Sequence, residues 1–132
     1  MGKVVHFEIP TDDVERAKSF YGSIFGWNLQ TMQMGDGDYT IAMTGPVDET
    51  TQRPTEPGSI NGGLMRRDAS TPAPVITIEV DAIDDSLKQI ESGGGNVVQA
   101  RTEIPGMGAF AYFTDTEGNV MGLWETTDPS TR

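Results

Sequence analysis

The run Val4-Val5-His6-Phe7-Glu8-Ile9 alternates two kinds of side chain. Successive residues of an extended strand point to opposite faces. Val5, Phe7 and Ile9 therefore predict an apolar face that wants a helix over it, and Val4, His6 and Glu8 share the other. After Pro10 the spacing becomes helical. Val14, Ala17, Tyr21 and Ile24 recur at helical intervals with Phe20 flanking them, which predicts a helix packed on the apolar face of the strand. Thr11 or Asp12 is its predicted cap, acidic residues in the first turn suit the helix dipole, and Gly26 ends it before Trp27. Strands are predicted next at 28–34, at 39–44 after a Gly-Asp-Gly turn, and at 62–67. The Pro-, Thr- and Glu-rich stretch 45–59 reads as a mobile surface loop.

The pattern then restarts. Residues 75–80 predict a strand with Ile76, Ile78 and Val80 on one face and Val75, Thr77 and Glu79 on the other. A helix over 81–92 buries Ile83, Leu87 and Ile90, and the glycines at 93–95 stop it. Strands follow at 96–102, 109–114 and 119–126, the last two joined by a tight turn over 115–119. An offset of 69 residues pairs His6 with Val75, Asp12 with Asp81, Val14 with Ile83, Tyr21 with Ile90 and Gly26 with Gly95. Gly63-Leu64-Met65 likewise matches Gly122-Leu123-Trp124. The expected fold is α+β, one domain over 1–132 made of two βαβββ modules, 1–69 and 70–132. Neither half alone buries its helix face well, so the two share a structure with the helices outside. The faces bearing His6 and Glu8, or Thr77 and Glu79, are left to curve around a cavity.

Composition narrows the chemistry. His6 is the single histidine and there is no cysteine, so a catalytic or metal site has one imidazole plus carboxylates. The absence of disulfides fits a reducing cytoplasm, and the start of the chain lacks the apolar stretch of a signal peptide. No run of about 18 apolar residues predicts a membrane span. A formal charge of -11 repels phosphate backbones and anionic lipid, which argues against nucleic acid and membrane partners and would attract cations. Gly93-Gly94-Gly95 follows a helix rather than opening one, so it is a stop signal and not a phosphate cradle.

The repeat, together with His6-Phe7-Glu8-Ile9-Pro10, Phe20-Tyr21, Phe25-Gly26-Trp27 and the run Phe113-Thr114-Asp115-Thr116-Glu117-Gly118-Asn119, resembles the vicinal oxygen chelate superfamily. That superfamily includes glyoxalase I, extradiol dioxygenases, methylmalonyl-CoA epimerase and the bleomycin- and fosfomycin-resistance proteins. The resemblance implies two βαβββ modules forming an open, cupped, barrel-like sheet, often in a homodimer. It also implies metal ligands on the first and last strands of each module. His6 matches the first of these, but Val75, Gly63 and Gly122 stand at the others. One ligand of a nominal four does not hold a divalent cation, which argues against a metal cofactor and against glyoxalase I activity.

Three readings stay open. The first is metal-free binding of a small organic molecule, with Met65 and Trp124 lining the space cleared by the glycines and Phe110 and Tyr112 adding to it. Ordinary core packing is the plain alternative for Met65 and Trp124. The second is sequestration of a cationic compound, as in the bleomycin-resistance members, drawing on Glu8, Glu79 and the net charge. The third is a metal-independent isomerase or lyase with His6 as acid or base and Glu8 raising its basicity. Thr77 shares the Glu79 face and completes the candidate ligand contacts. The turn 104–108 resembles a loop that overhangs the cavity in relatives.

Overall fold

The computed structural model describes residues 2–34 and 37–126. Its elements are β1 (Val4–Thr11), α1 (Val14–Phe25), β2 (Asn28–Met34), β3 (Gly37–Met43) and β4 (Gly62–Arg66), then β5 (Val75–Glu79), α2 (Ile83–Ser92), β6 (Asn96–Ile104), β7 (Gly108–Thr114) and β8 (Val120–Thr126). Strand–helix–strand–strand–strand thus occurs twice, and the fold class is α+β as expected. The predicted Gly-Asp-Gly turn before β3 spans 35–37; 35 and 36 lie outside the described residues, and Gly37 already opens the strand. No helix among the described residues is long and apolar enough to cross a membrane.

The elements gather into two compact units. The first is His6–Pro74, and the second takes the chain from Val75 onward together with the residues up to Val5. In the first, the strands lie in the order β2-β3-β4-β1. The β2/β3 and β3/β4 pairs are antiparallel, and β4/β1 is parallel. A parallel pair needs a long crossover, which the intervening α1, β2 and β3 supply. The second unit repeats the scheme as β5-β8-β7-β6, with β5/β8 parallel. Beside β5, the Gly2 amide donates to the Glu79 carbonyl at 2.8 Å and the Glu79 amide to the Lys3 carbonyl at 2.9 Å.

The second unit has the apolar core that its pattern predicts. Ile83 and Leu87 of α2 pack with Ala109, Ala111 and Phe113 of β7 and Leu123 of β8, and Ile90 lies half-buried against them. The small alanines let the helix approach the sheet closely, and every second residue of β7 faces it. The expected helix begins two residues later than its pattern suggested, at Ile83.

The first unit departs further. No residue of α1 is buried. Val14, Ala17 and Tyr21 of the expected stripe are half-buried, while Ile24 is 59% exposed, the flanking Phe20 53% and the neighbouring Phe25 59%, so the stripe covers the sheet only in part. Its aromatic residues pile on one another instead. Tyr21 stacks on Trp27 with centroids 4.9 Å apart and planes 7° from parallel, and Phe7 of β1 reaches the same indole. Leu64, Thr40 and Ala42 of the sheet are the buried residues beneath.

Local chemistry explains several shifted boundaries. Neither Thr11 nor Asp12 caps α1. Asp13 does, in extended backbone, its carboxylate accepting the Arg16 amide at 3.1 Å. Thr11 is instead the buried last residue of β1, its hydroxyl donating to the Met65 carbonyl, and Asp12 pairs with Arg67 at 3.0 Å. Thr44 lies beyond β3, its amide held by the Asn61 side chain at 2.8 Å. The stretch 45–59 is not featureless: Val47 bridges Pro54, and the Asp48 carboxylate accepts the Thr50 and Thr51 amides. Ile104 and Gly108 pair across the β6/β7 hairpin, which leaves Pro105, Gly106 and Met107 as its tip.

Candidate functional site

In the first unit, strand register collects the polar groups. Glu8 pairs with Gly63 and Pro10 with Met65 across β1/β4, and Ile41 pairs with Gly63 across β3/β4. Directly opposed residues share a face, so alternation places His6, Glu8, Gly63 and Met65 together with Tyr39 and Ile41. The Tyr39 hydroxyl lies 2.9 Å from Nε2 of His6 and donates to Oε2 of Glu8 at 3.4 Å. It also fills the space above Gly63, where any side chain would start inside the phenol. Tyr39 is the residue that reading the sequence missed. The space expected above Gly63 and Gly122 is not open: the Tyr39 phenol and the Thr77 hydroxyl fill it, and close approach by another group is what a glycine in a buried strand can signal.

The electrostatics follow from burial. Burial pushes the His6 imidazole down to about 4, so it is neutral near pH 7. The expected rise in basicity from Glu8 is therefore not found. Tyr39 shifts upward, first through burial and then through the Glu8 charge and hydrogen bond, which keeps its phenol protonated. A phenol has one proton to give. Donated to Glu8, it leaves the phenol oxygen to accept Nε2–H of His6. The proton count thus assigns the neutral tautomer with its lone pair on Nδ1.

The second unit brings five of the predicted contacts onto one face. Thr77 pairs with Gly122 and Glu79 with Trp124 across β5/β8. Phe110 pairs with Trp124 and Tyr112 with Gly122 across β7/β8. The Phe110 and Tyr112 rings meet edge-on with centroids 5.8 Å apart, and the Trp124 indole donates to the Thr126 hydroxyl. The buried Thr77 hydroxyl sits over Gly122, 2.7 Å from where a Cβ would lie. Glu125 turns to the opposite face, where its carboxylate accepts the Ile83 amide and pairs with Arg101, each at 2.8 Å.

These residues do not fit the divalent cation that the resemblance implies. A phenol stands over position 63, a threonine hydroxyl over position 122, and Val75 is a buried hydrocarbon. Among the described residues, no three His, Cys, Asp or Glu side chains gather as a metal site would need. A separate cleft of about 320 Å³ opens between α1 and the end of β1, lined by residues that include Pro10, Arg16, Phe20 and Arg67 but not His6.

Residues 3–45 match the family model of the bleomycin resistance protein-like N-terminal region. A glyoxylase-like domain-containing protein of Didymella fabae is 31% identical over 130 residues, covering 92% of each chain. The anthracycline biosynthesis protein DnrV of Streptomyces peucetius is 26% identical over 93% of this chain. The chain spans less than half the length of some curated relatives it matches, 46% of DnrV and 43% of CFP32 from Mycobacterium bovis. Among solved structures, methylmalonyl-CoA epimerase from Mycobacterium tuberculosis matches with a TM-score of 0.65 and 18% identity, over 96% of this chain and 89% of its own. At that identity the likeness concerns the fold alone.

Proposed function

Because the chain belongs to the vicinal oxygen chelate superfamily, among its glyoxylase-like members, we propose that it binds a small organic molecule without using a divalent metal. The observation that carries this reading is the Tyr39 phenol. It bonds to His6 and fills the space above Gly63, where a metal-binding side chain would have to begin. In place of a cation the face offers a neutral imidazole, a phenol and one carboxylate, with the Met65 thioether beside them. The second unit offers the aromatic face of Phe110, Tyr112 and Trp124, with Thr77 and Glu79 as its polar groups. Few polar groups on apolar walls are the usual make-up of a small-molecule site.

A cationic ligand is the second reading. The net charge of -11 and the carboxylates of Glu8 and Glu79 support it, as does the bleomycin-resistance-like match. A metal-independent isomerase or lyase with His6 as its base has less support, since an imidazole lowered to about 4 is a poor base at neutral pH. Homodimer formation is part of the proposal, on the strength of the apolar surface that Phe20, Ile24 and Phe25 expose on α1.

Calorimetric titration in EDTA with aromatic polyketides, acyl-CoA esters and a cationic glycopeptide tests the reading. Saturable binding that persists in EDTA and weakens in Trp124→Ala is expected. Binding that appears only with an added divalent cation would overturn it. For the cationic reading, affinity must fall as salt rises, and binding of the glycopeptide unaffected by salt counts against it.

A further inference from the structure

We propose that Tyr39 is a built-in plug in the metal-ligand position, so that removing the phenol and restoring a carboxylate at position 63 exposes a divalent-cation site on this sheet face. The inference rests on the metal-free reading of the same face and explains how the metal is kept out.

Three positions decide it. His6 and Glu8 alternate along β1, and Gly63 lies directly across the parallel ladder from Glu8. Side chains at 6, 8 and 63 therefore leave adjacent backbone positions on one side of the sheet. An imidazole with two carboxylates in that arrangement is an N,O,O donor set suited to cobalt, zinc, iron or manganese. His6 and Glu8 supply two of the three groups such a set needs, and the third position is glycine.

The vacant third position is occupied from another strand. Tyr39 reaches over from β3, and its hydroxyl meets both remaining donors, Nε2 of His6 and Oε2 of Glu8. A cation arriving here would have to expel the phenol and break both contacts before gaining its own. It would then find two protein ligands, fewer than a stable site requires. The glycine and the tyrosine are two halves of one substitution: without the glycine the phenol cannot enter, and without the phenol His6 and Glu8 lose the hydroxyl they share.

Cobalt(II) is a suitable probe, because its visible absorption reports coordination and equilibrium dialysis counts the ions bound. Wild type and Tyr39→Phe, whose ring still fills the space, are expected to take up no cobalt at this face. The double variant Tyr39→Ala/Gly63→Glu is expected to bind one equivalent where wild type binds none, and to lose it when His6→Ala is added. Uptake of one equivalent by wild type, abolished by His6→Ala, would sink both the plug and the metal-free reading. A folded double variant as empty as wild type would sink the plug alone.

Tyr39→Ala by itself gives a readout independent of metal loading and of the double variant's folding. His6 is the sole histidine, so diethyl pyrocarbonate absorbance reports on this imidazole only. Its carbethoxylation should accelerate severalfold in Tyr39→Ala relative to wild type and Tyr39→Phe, because Nε2, released from the phenol, becomes open to the reagent as the neutral ring exchanges tautomers, with far-ultraviolet dichroism checking the fold. An unchanged rate in folded Tyr39→Ala means that the phenol does not cover the imidazole, and the plug is wrong.

Discussion

The carboxylate of Glu125, on β8, accepts the backbone amide of Ile83 at 2.8 Å and so caps a helix to which it does not belong. The residue in the local cap position, Ala82, has no side chain able to do so. A free amide at a helix start needs an acceptor, and here the sheet supplies it. Arg101 of β6 holds the same carboxylate in place. Glu125→Ala is therefore expected to destabilise the second unit by about 1–2 kcal/mol, the usual range for a lost cap. Urea unfolding followed by helical dichroism checks it. Asp introduced at position 82 as a local cap should recover part of the loss in the Glu125→Ala background.

Gly63→Ala places a methyl group where the Tyr39 phenol lies. The expected cost is about 1–3 kcal/mol, typical of overpacking. In a Tyr39→Ala background the same change should be nearly neutral, because the space is then free. A double-mutant cycle in urea measures the coupling, and additive effects would show that the two positions do not compete for one volume.

Acid should weaken the fold through His6. Its imidazole is lowered from 6.5 to about 4 in the folded chain. Between those values the unfolded chain binds a proton that the folded chain refuses. Stability is thus full above about pH 6.5 and falls as pH drops towards 4, by up to about 3 kcal/mol over the whole window. Asp48, Asp68 and Asp115 are shifted the other way, downward by hydrogen bonds to nearby amides and side chains. Their contributions disappear only at lower pH, on the acid side of this window. Urea midpoints measured from pH 7.5 to 4.5 should flatten in His6→Asn; an unchanged slope would assign the acid sensitivity elsewhere.

The exposed face of α1 gives a test of self-association. Replacing Phe20, Ile24 and Phe25 by glutamine removes exposed apolar surface; Ile24→Gln should move stability by no more than about 0.5 kcal/mol, and the Phe20 and Phe25 changes by about 0.5–1.5 kcal/mol each through their lost ring contacts. Sedimentation equilibrium is expected to show a dimer for wild type and a shift to monomer in the triple variant. A dimer that survives the change has its interface elsewhere.

Much of this was legible from periodicity, and what escaped did so for identifiable reasons. Ile83 and Leu87 are spaced for a helix, and β7 alternates Ala109, Ala111 and Phe113, so local pattern and tertiary packing agree. On α1 the pattern was equally regular, yet Tyr21 found Trp27 as a partner, and the aromatic pile holds the stripe without burying it. Thr11 or Asp12 was the expected cap of that helix, yet the neighbouring Asp13 takes the role, and residue type alone does not rank the three. The face of Phe110 was undecidable until the β7/β8 register paired it with Trp124. Tyr39 was hidden for a different reason. Its contact with His6 spans 33 residues of chain, and periodicity carries no information about which distant side chain fills a gap.

The pairing of Tyr39 with Gly63 also constrains descent. A lineage carrying this pair cannot regain a metal-binding side chain at position 63 in one step, because the tyrosine collides with it. Losing the tyrosine first takes from the half-buried His6 imidazole its hydroxyl partner. Both routes pass through a damaged intermediate, so the change behaves as an epistatic ratchet: simple to keep, hard to reverse. Homologues should accordingly hold the two positions in matched states, glycine with tyrosine or a ligating residue with something smaller.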